Sequence, residues 1–196
     1  MSKTRVFIVH RWDSSPSEDW YPWMKERLES DGHTVRVLKM PNPKKPTIRD
    51  WVATLQQAVK KPDDHTFLVG HSIGCQTIMR YLETFSKGET VGGALFVAPW
   101  FTLKGLETNE DRDIARPWIE TPIDTDDVVA HVRSIFALFS NNDPYVPIAN
   151  AAEFERRLNA WTRTERKAGH FMTEDVFDQL PQGLAALREM IESAQT

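Results

Sequence analysis

Cysteine is nearly absent. Cys75 is the only one in 196 residues, so the chain can form no internal disulfide and no thiolate metal site, and stability must come from packing. Runs of like charge are equally scarce. The formal charge is −4, and basic runs such as Lys44-Lys45 and Lys60-Lys61 never exceed two residues, which excludes the electrostatic footprint needed for nucleic acid or an anionic membrane surface. Long apolar runs are missing as well: the stretch after Lys3 and Arg5 extends only from Val6 to Val9, too short for a signal peptide or a membrane span. A cytoplasmic protein is expected. There is no Walker A pattern, no G-x-G-x-x-G after the first apolar run and no histidine pair at ligand spacing, so neither nucleotide nor metal chemistry, and no cofactor, is expected.

Apolar residues make up 40% and charged residues 27%, the balance of a globular chain, and the length is that of one compact domain spanning 1–196. Short apolar runs alternate with amphipathic stretches, which predicts a parallel sheet covered on both faces by helices. Six strands are read at Arg5–Val9, Thr34–Leu38, Thr66–Val69, Ala94–Ala98, Ile135–Phe139 and Trp161–Arg166. The first, third, fourth and fifth are apolar on both faces and belong in the centre, whereas the second and sixth carry charge and belong near the edges. Helical spacing links Trp20, Met24 and Leu28, then Trp51, Leu55 and Ala58, then Ile78, Leu82 and Phe85. Phe154 with Leu158, and Leu184, Leu187 and Ile191 behind Pro181, mark two more helices. Gly32 is placed to end the first helix and Thr47 to cap the second. From about 99 to 129 the rhythm fails; Gly105, Pro117, Pro122 and many acidic residues there read as a lid-like excursion.

Gly70-His71-Ser72-Ile73-Gly74 follows an apolar strand and opens a helical pattern, the strand-turn-helix context that G-x-S-x-G requires. The two glycines let strand and helix approach closely while the hydroxyl projects above the sheet edge. A serine needs a base and an acid to become a nucleophile, and in this topology both come from loops after later strands. Asp143 lies just past the fifth strand in Asn141-Asn142-Asp143-Pro144, and His170 lies just past the sixth behind Gly169. The expected catalytic set is therefore Ser72, Asp143 and His170. The amide of Ile73 is placed for a developing oxyanion, with a second amide from Arg11 or Trp12 in the loop after the first strand. His10, Trp100, Tyr145 and Phe171, together with Trp12 and Phe101, adjoin the strand ends and are candidates to wall the substrate pocket.

With these residues in place, the chain resembles the retinoblastoma-binding-protein-9-like (YdeN-type) family of small serine hydrolases. The likeness rests on Gly-His-Ser-Ile-Gly, Trp20-Tyr21-Pro22-Trp23, Met40-Pro41-Asn42-Pro43 followed by Trp51, Val97-Ala98-Pro99, Asp143-Pro144-Tyr145-Val146-Pro147 and Gly169-His170. The resemblance implies an α/β-hydrolase fold, a three-layer α/β/α sandwich with a mostly parallel six-stranded sheet in the order 2-1-3-4-5-6. It also implies Ser72, Asp143 and His170 as nucleophile, acid and base. One position departs: many α/β-hydrolases have glycine where this chain has Arg11, which opens the alternative that its guanidinium faces the cleft and favours an anionic substrate. The expected reaction is hydrolysis of a small ester through an acyl-enzyme; the alternatives are an acyltransferase or amidase using the same residues, and a protein-binding module that keeps the scaffold.

Overall fold

A computed structural model describes residues 3–175 and 177–194. Six parallel strands form one sheet, β1 (Arg5–Val9), β2 (Thr34–Leu38), β3 (Thr66–His71), β4 (Gly93–Val97), β5 (Ile135–Ser140) and β6 (Trp161–Glu165), in the order β2-β1-β3-β4-β5-β6. The order matches the expectation, and every strand pair is parallel. β3 and β4 are buried along their whole length, whereas edge strand β6 leaves Trp161 76% exposed, the division that the charge pattern predicts.

The covering helices are α1 (Tyr21–Ser30), α2 (Ile48–Val59), α3 (Ile73–Leu82), α4 (Asn109–Glu120), α5 (Thr125–Ala130), α6 (Asn150–Leu158) and α7 (Pro181–Ser193), making three layers. Their ends follow local chemistry. Thr47 Oγ1 accepts from the Asp50 amide at 3.2 Å at the start of α2, and Gly32 takes φ +91° just after α1. α3 ends at Leu82, so Phe85 lies beyond it, edge-on to Tyr81 with ring centroids 4.8 Å apart. α3 is buried throughout, wedged between β3 and α2.

The segment expected to be an excursion contains α4 and α5. α4 opens with a reciprocal capping box between Thr108 and Asp111 and tolerates Pro117 on its exposed side. Its apolar anchor is Trp118, which packs edge-on to Trp51 at 6.2 Å and donates from Nε1 to the Pro46 carbonyl at 3.2 Å. Arg80, buried in α3, donates to the carbonyls of Trp118 and Thr121 at 2.9 and 2.8 Å and so caps the carboxyl end of α4.

Among the described residues no helix is long and apolar enough to cross a membrane. Trp20, Trp51, Trp100 and Trp118 are core residues, while Trp12 is half-buried at the sheet's carboxyl edge.

Candidate active site

Between β1 and β3 the order in which strands are added to the sheet reverses, because β2 lies outward on one side of β1 and β3 to β6 on the other. Loops leaving adjacent strands there diverge and open a crevice at the carboxyl edge. The loop after β1 carries Arg11 and Trp12; the turn after β3 carries Ser72.

Ser72 has φ 53° and ψ −114°, a positive φ that costs a non-glycine residue about 1–3 kcal/mol and survives only where the surroundings enforce it. They do. Its amide donates to the Val97 carbonyl at 2.8 Å, and its neighbours leave no room to relax. A Cβ on Gly70 would stand 2.7 Å from the Cys75 nitrogen, and one on Gly74 only 2.3 Å from the Val9 carbonyl oxygen. The two glycines are thus required by close approach, as the motif predicts. Cys75, next along α3, is buried, and burial pushes its thiol well up from its ordinary value.

His170 and Asp143 meet across the loops after β6 and β5. His170 Nδ1 donates to Asp143 Oδ2 at 2.8 Å, with both side chains almost wholly buried. The other carboxylate oxygen, Oδ1, accepts from the amides of Tyr145 and Val146 at 2.8 and 2.9 Å, so the acid is fixed by its own turn. The backbone of His170 is held in turn by Asp175, whose Oδ2 accepts its amide at 2.7 Å. Ser140 and Asn142 tie the two loops together through the amides of Ala168 and Gly169. With Nδ1 committed, Nε2 is the free ring nitrogen. Ser72 and His170 line one cavity, but Ser72 Oγ makes no hydrogen bond to His170 in this structure, a looseness common before substrate tightens a site.

That cavity has a volume of about 380 Å³. Of the expected wall residues, Trp12, Trp100 and Tyr145 line it, joined by Leu103, Leu106 and Met172, which the sequence reading passed over. Three others do not. His10 is turned inward beneath the loop, where Nδ1 donates to the Arg11 carbonyl at 2.7 Å, Nε2 accepts from the Met40 amide at 3.2 Å and the ring sits edge-on to Trp51. Phe171, at φ 58°, turns into the core beside Phe177, and Phe101 stacks on Phe154 under the Arg157 guanidinium.

Of the two amides expected from the loop after β1, one is engaged. The Arg11 amide donates to the Tyr21 hydroxyl at 3.1 Å and is therefore not available, whereas no main-chain carbonyl outside regular helices and strands takes the amide of Trp12 or of Ile73. The Arg11 side chain lines the cavity but is neutralised: Nε donates to buried Asp19 at 2.8 Å, and Glu174 lies 3.7 Å from Nη2. Asp19 also accepts from the Thr173 amide at 3.0 Å, binding the loop after β1 to the short 3-10 helix Thr173–Asp175. No sequence signal separates Asp19 from an ordinary loop aspartate. Among the described residues no group of three His, Cys, Asp or Glu side chains could hold a metal ion.

The serine hydrolase family model matches residues 6–189, nearly the whole chain and all of this site. The chain belongs to the serine hydrolase family. It is 29% identical over 177 residues to YdeN of Bacillus subtilis, covering 90% of each protein. The crystal structure of that gene product superposes with a TM-score of 0.88, at 26% identity, over 97% of this chain and 100% of the other. The serine hydrolase RBBP9 of Rattus norvegicus is 24% identical over 157 residues, 80% of each chain. Est1E from Butyrivibrio proteoclasticus shares the fold at 14% identity, with a TM-score of 0.72 over 97% of this chain and 89% of its own.

Proposed function

We propose that this serine hydrolase cleaves a small ester by acyl transfer to Ser72, with His170 as base and Asp143 as the acid that orients it. The observation that carries the reading is the convergence on one cavity of a serine in an enforced positive-φ turn and a histidine whose far nitrogen is fixed by a buried carboxylate. As Ser72 Oγ attacks the carbonyl carbon, its proton passes to His170 Nε2; the imidazolium is stabilised by Asp143, which itself stays ionised. Collapse of the tetrahedral intermediate breaks the bond to the alcohol oxygen, which takes that proton and leaves. Water then attacks the acyl-enzyme, losing a proton to Nε2, and as the bond to Ser72 Oγ breaks that proton returns to the serine and the acid leaves.

The negative charge on the carbonyl oxygen is met in both halves by the amides of Ile73 and Trp12. Ile73 opens α3, so its N–H also carries the positive end of the helix. Each such donor is worth about 10²- to 10³-fold in rate. The cavity, about 380 Å³ and walled by Trp12, Trp100, Leu103, Leu106 and Met172, suits a short or compact apolar acyl group.

The test is labelling with a fluorophosphonate, followed by hydrolysis of esters and amides graded in acyl length. Wild type should label and turn over short esters, while Ser72→Ala should do neither. Asp143→Asn sets an amide N–H against the His170 N–H and should lower kcat about 10³- to 10⁴-fold. Equal labelling of wild type and Ser72→Ala, or labelling with no turnover of any ester, would refute the reading.

A further inference from the structure

Directly behind the proposed base lies a second histidine that the reaction above does not use. His71, between Gly70 and Ser72, is wholly buried, and both of its ring nitrogens are engaged. Nε2 stands 2.8 Å from the carbonyl oxygen of His170. A carbonyl can only accept, so Nε2 carries the proton. Nδ1 is then bare and accepts from the Tyr21 hydroxyl, 2.8 Å away. The Tyr21 oxygen, having donated its proton, accepts from the Arg11 amide at 3.1 Å. The direction of every bond in the chain is forced, from Arg11 N–H through Tyr21 and His71 to His170 C=O.

The two ends of that chain are main-chain atoms of two loops that converge on the reacting carbonyl. One is the residue before Trp12; the other is His170 itself. We propose that His71 and Tyr21 are positioning residues, a buried strut of imidazole and phenol in series that sets the distance between the Trp12 amide and the His170 base. The inference rests on the reading of Ser72, His170 and Trp12 given above.

Core filling alone does not explain the pair. Two polar rings are wholly buried at a desolvation cost that an apolar side chain would avoid, and each uses its donor and its acceptor. The strut also stays neutral. Burial, reinforced by His170, pushes His71 down to about 3, and burial holds the Tyr21 phenol well above its ordinary value. The charged and titratable groups facing His71 are His170, Asp19 and Arg11. Its ring centroid is 5.3 Å from that of His170, so a charged His71 would oppose the imidazolium that must form there. With Nδ1 occupied by Tyr21, the ring offers no lone pair that could compete for the serine proton.

Three variants test this, with kcat and KM measured on a small aryl ester and expressed per active site titrated by a fluorophosphonate. Tyr21→Phe deletes one hydroxyl at nearly constant volume and should lower kcat per site about tenfold with KM within about twofold. His71→Leu removes both bonds and should lower it about 100-fold, the scale expected for a misplacement of about 1 Å. His71→Gln, which retains a donor toward the His170 carbonyl, should recover about tenfold of that loss. A merely structural role would reduce the titratable fraction and the melting temperature and leave kcat per site unchanged. The inference is overturned if all folded variants keep kcat per site within about twofold of wild type, or if KM rises in place of the fall in kcat. Failure of wild type to label would refute the reading of the site itself, and the inference with it.

Discussion

Replacing Gly74 with alanine tests whether the enforced turn sets catalytic geometry or only packing. The added Cβ would sit 2.3 Å from the Val9 carbonyl oxygen, 3.0 Å from the Val9 carbonyl carbon and 3.1 Å from the His10 oxygen. All three are backbone atoms at the end of a central strand, so no side-chain rotation relieves the contact. An ordinary contact is about 1 Å longer than the shortest of these, and α3 must back away from β1 by something near that amount. Overpacking of this kind costs about 1–3 kcal/mol. The larger effect is on rate, because the displaced contact lies between the Ile73 amide at the start of α3 and the Trp12 amide just beyond β1. A 1 Å widening there should lower kcat per titrated site on the order of 100-fold. Urea unfolding and ester hydrolysis, each compared with Gly88→Ala, separate the two effects. Gly88, unlike Gly74, has a positive φ, +91°, but its Cβ would meet nothing within 4 Å, so that variant should lose about 1 kcal/mol and no activity per site. Destabilised Gly74→Ala with undiminished kcat per site would refute the geometric argument.

Arg11→Ala should leave the ratio of kcat/KM for neutral and acidic esters of equal length within about threefold of wild type, since Asp19 already neutralises the guanidinium at 2.8 Å; a tenfold change would show that the charge reaches substrate. The same variant strands a buried carboxylate and should lose about 3 kcal/mol in denaturant unfolding. Acid should destabilise the fold through His71. Its pKa of about 3 lies below the unfolded value of 6.5, so below pH 6.5 the unfolded chain binds a proton that the folded chain refuses, and stability falls as pH drops toward 3. At about 1.4 kcal/mol per pH unit, the gap in unfolding free energy between wild type and His71→Gln should close by about 3 kcal/mol from pH 7 to pH 4, whereas parallel curves would show that His71 is not buried neutral.

The sheet was legible because its central strands are apolar on both faces and the edge strands are not, and because glycine or proline punctuates the ends of the elements. The meeting of Asp143 with His170 was legible for a related reason: each stands just beyond a strand, and parallel topology brings all such ends to one edge. α4 was not. Only Ala115 and Trp118 are buried in it, too few to give a periodic signal, and Pro117 argues for a break. Thr108 with Asp111 three residues on was the available sign of its start. His10 and Phe171 misled because adjacency to a strand end does not fix which way a side chain turns. Engagement of the Arg11 amide by Tyr21 lay beyond the sequence altogether, since any non-proline residue has an amide and only packing decides what receives it.

The way α4 is fastened bears on how ligands reach the serine. Its carboxyl end is bolted into the core by Arg80 and Trp118, and the strand of chain leading into it is pinned near the mouth, where the Lys104 amide donates to the Tyr145 carbonyl at 2.8 Å and Gly105 lies against Pro144. These contacts fix the wall at both ends. For the ester hydrolysis proposed above, an anchored wall predicts entry without a hinge-opening step and a sharp fall in kcat/KM once the acyl chain outgrows the cavity of about 380 Å³.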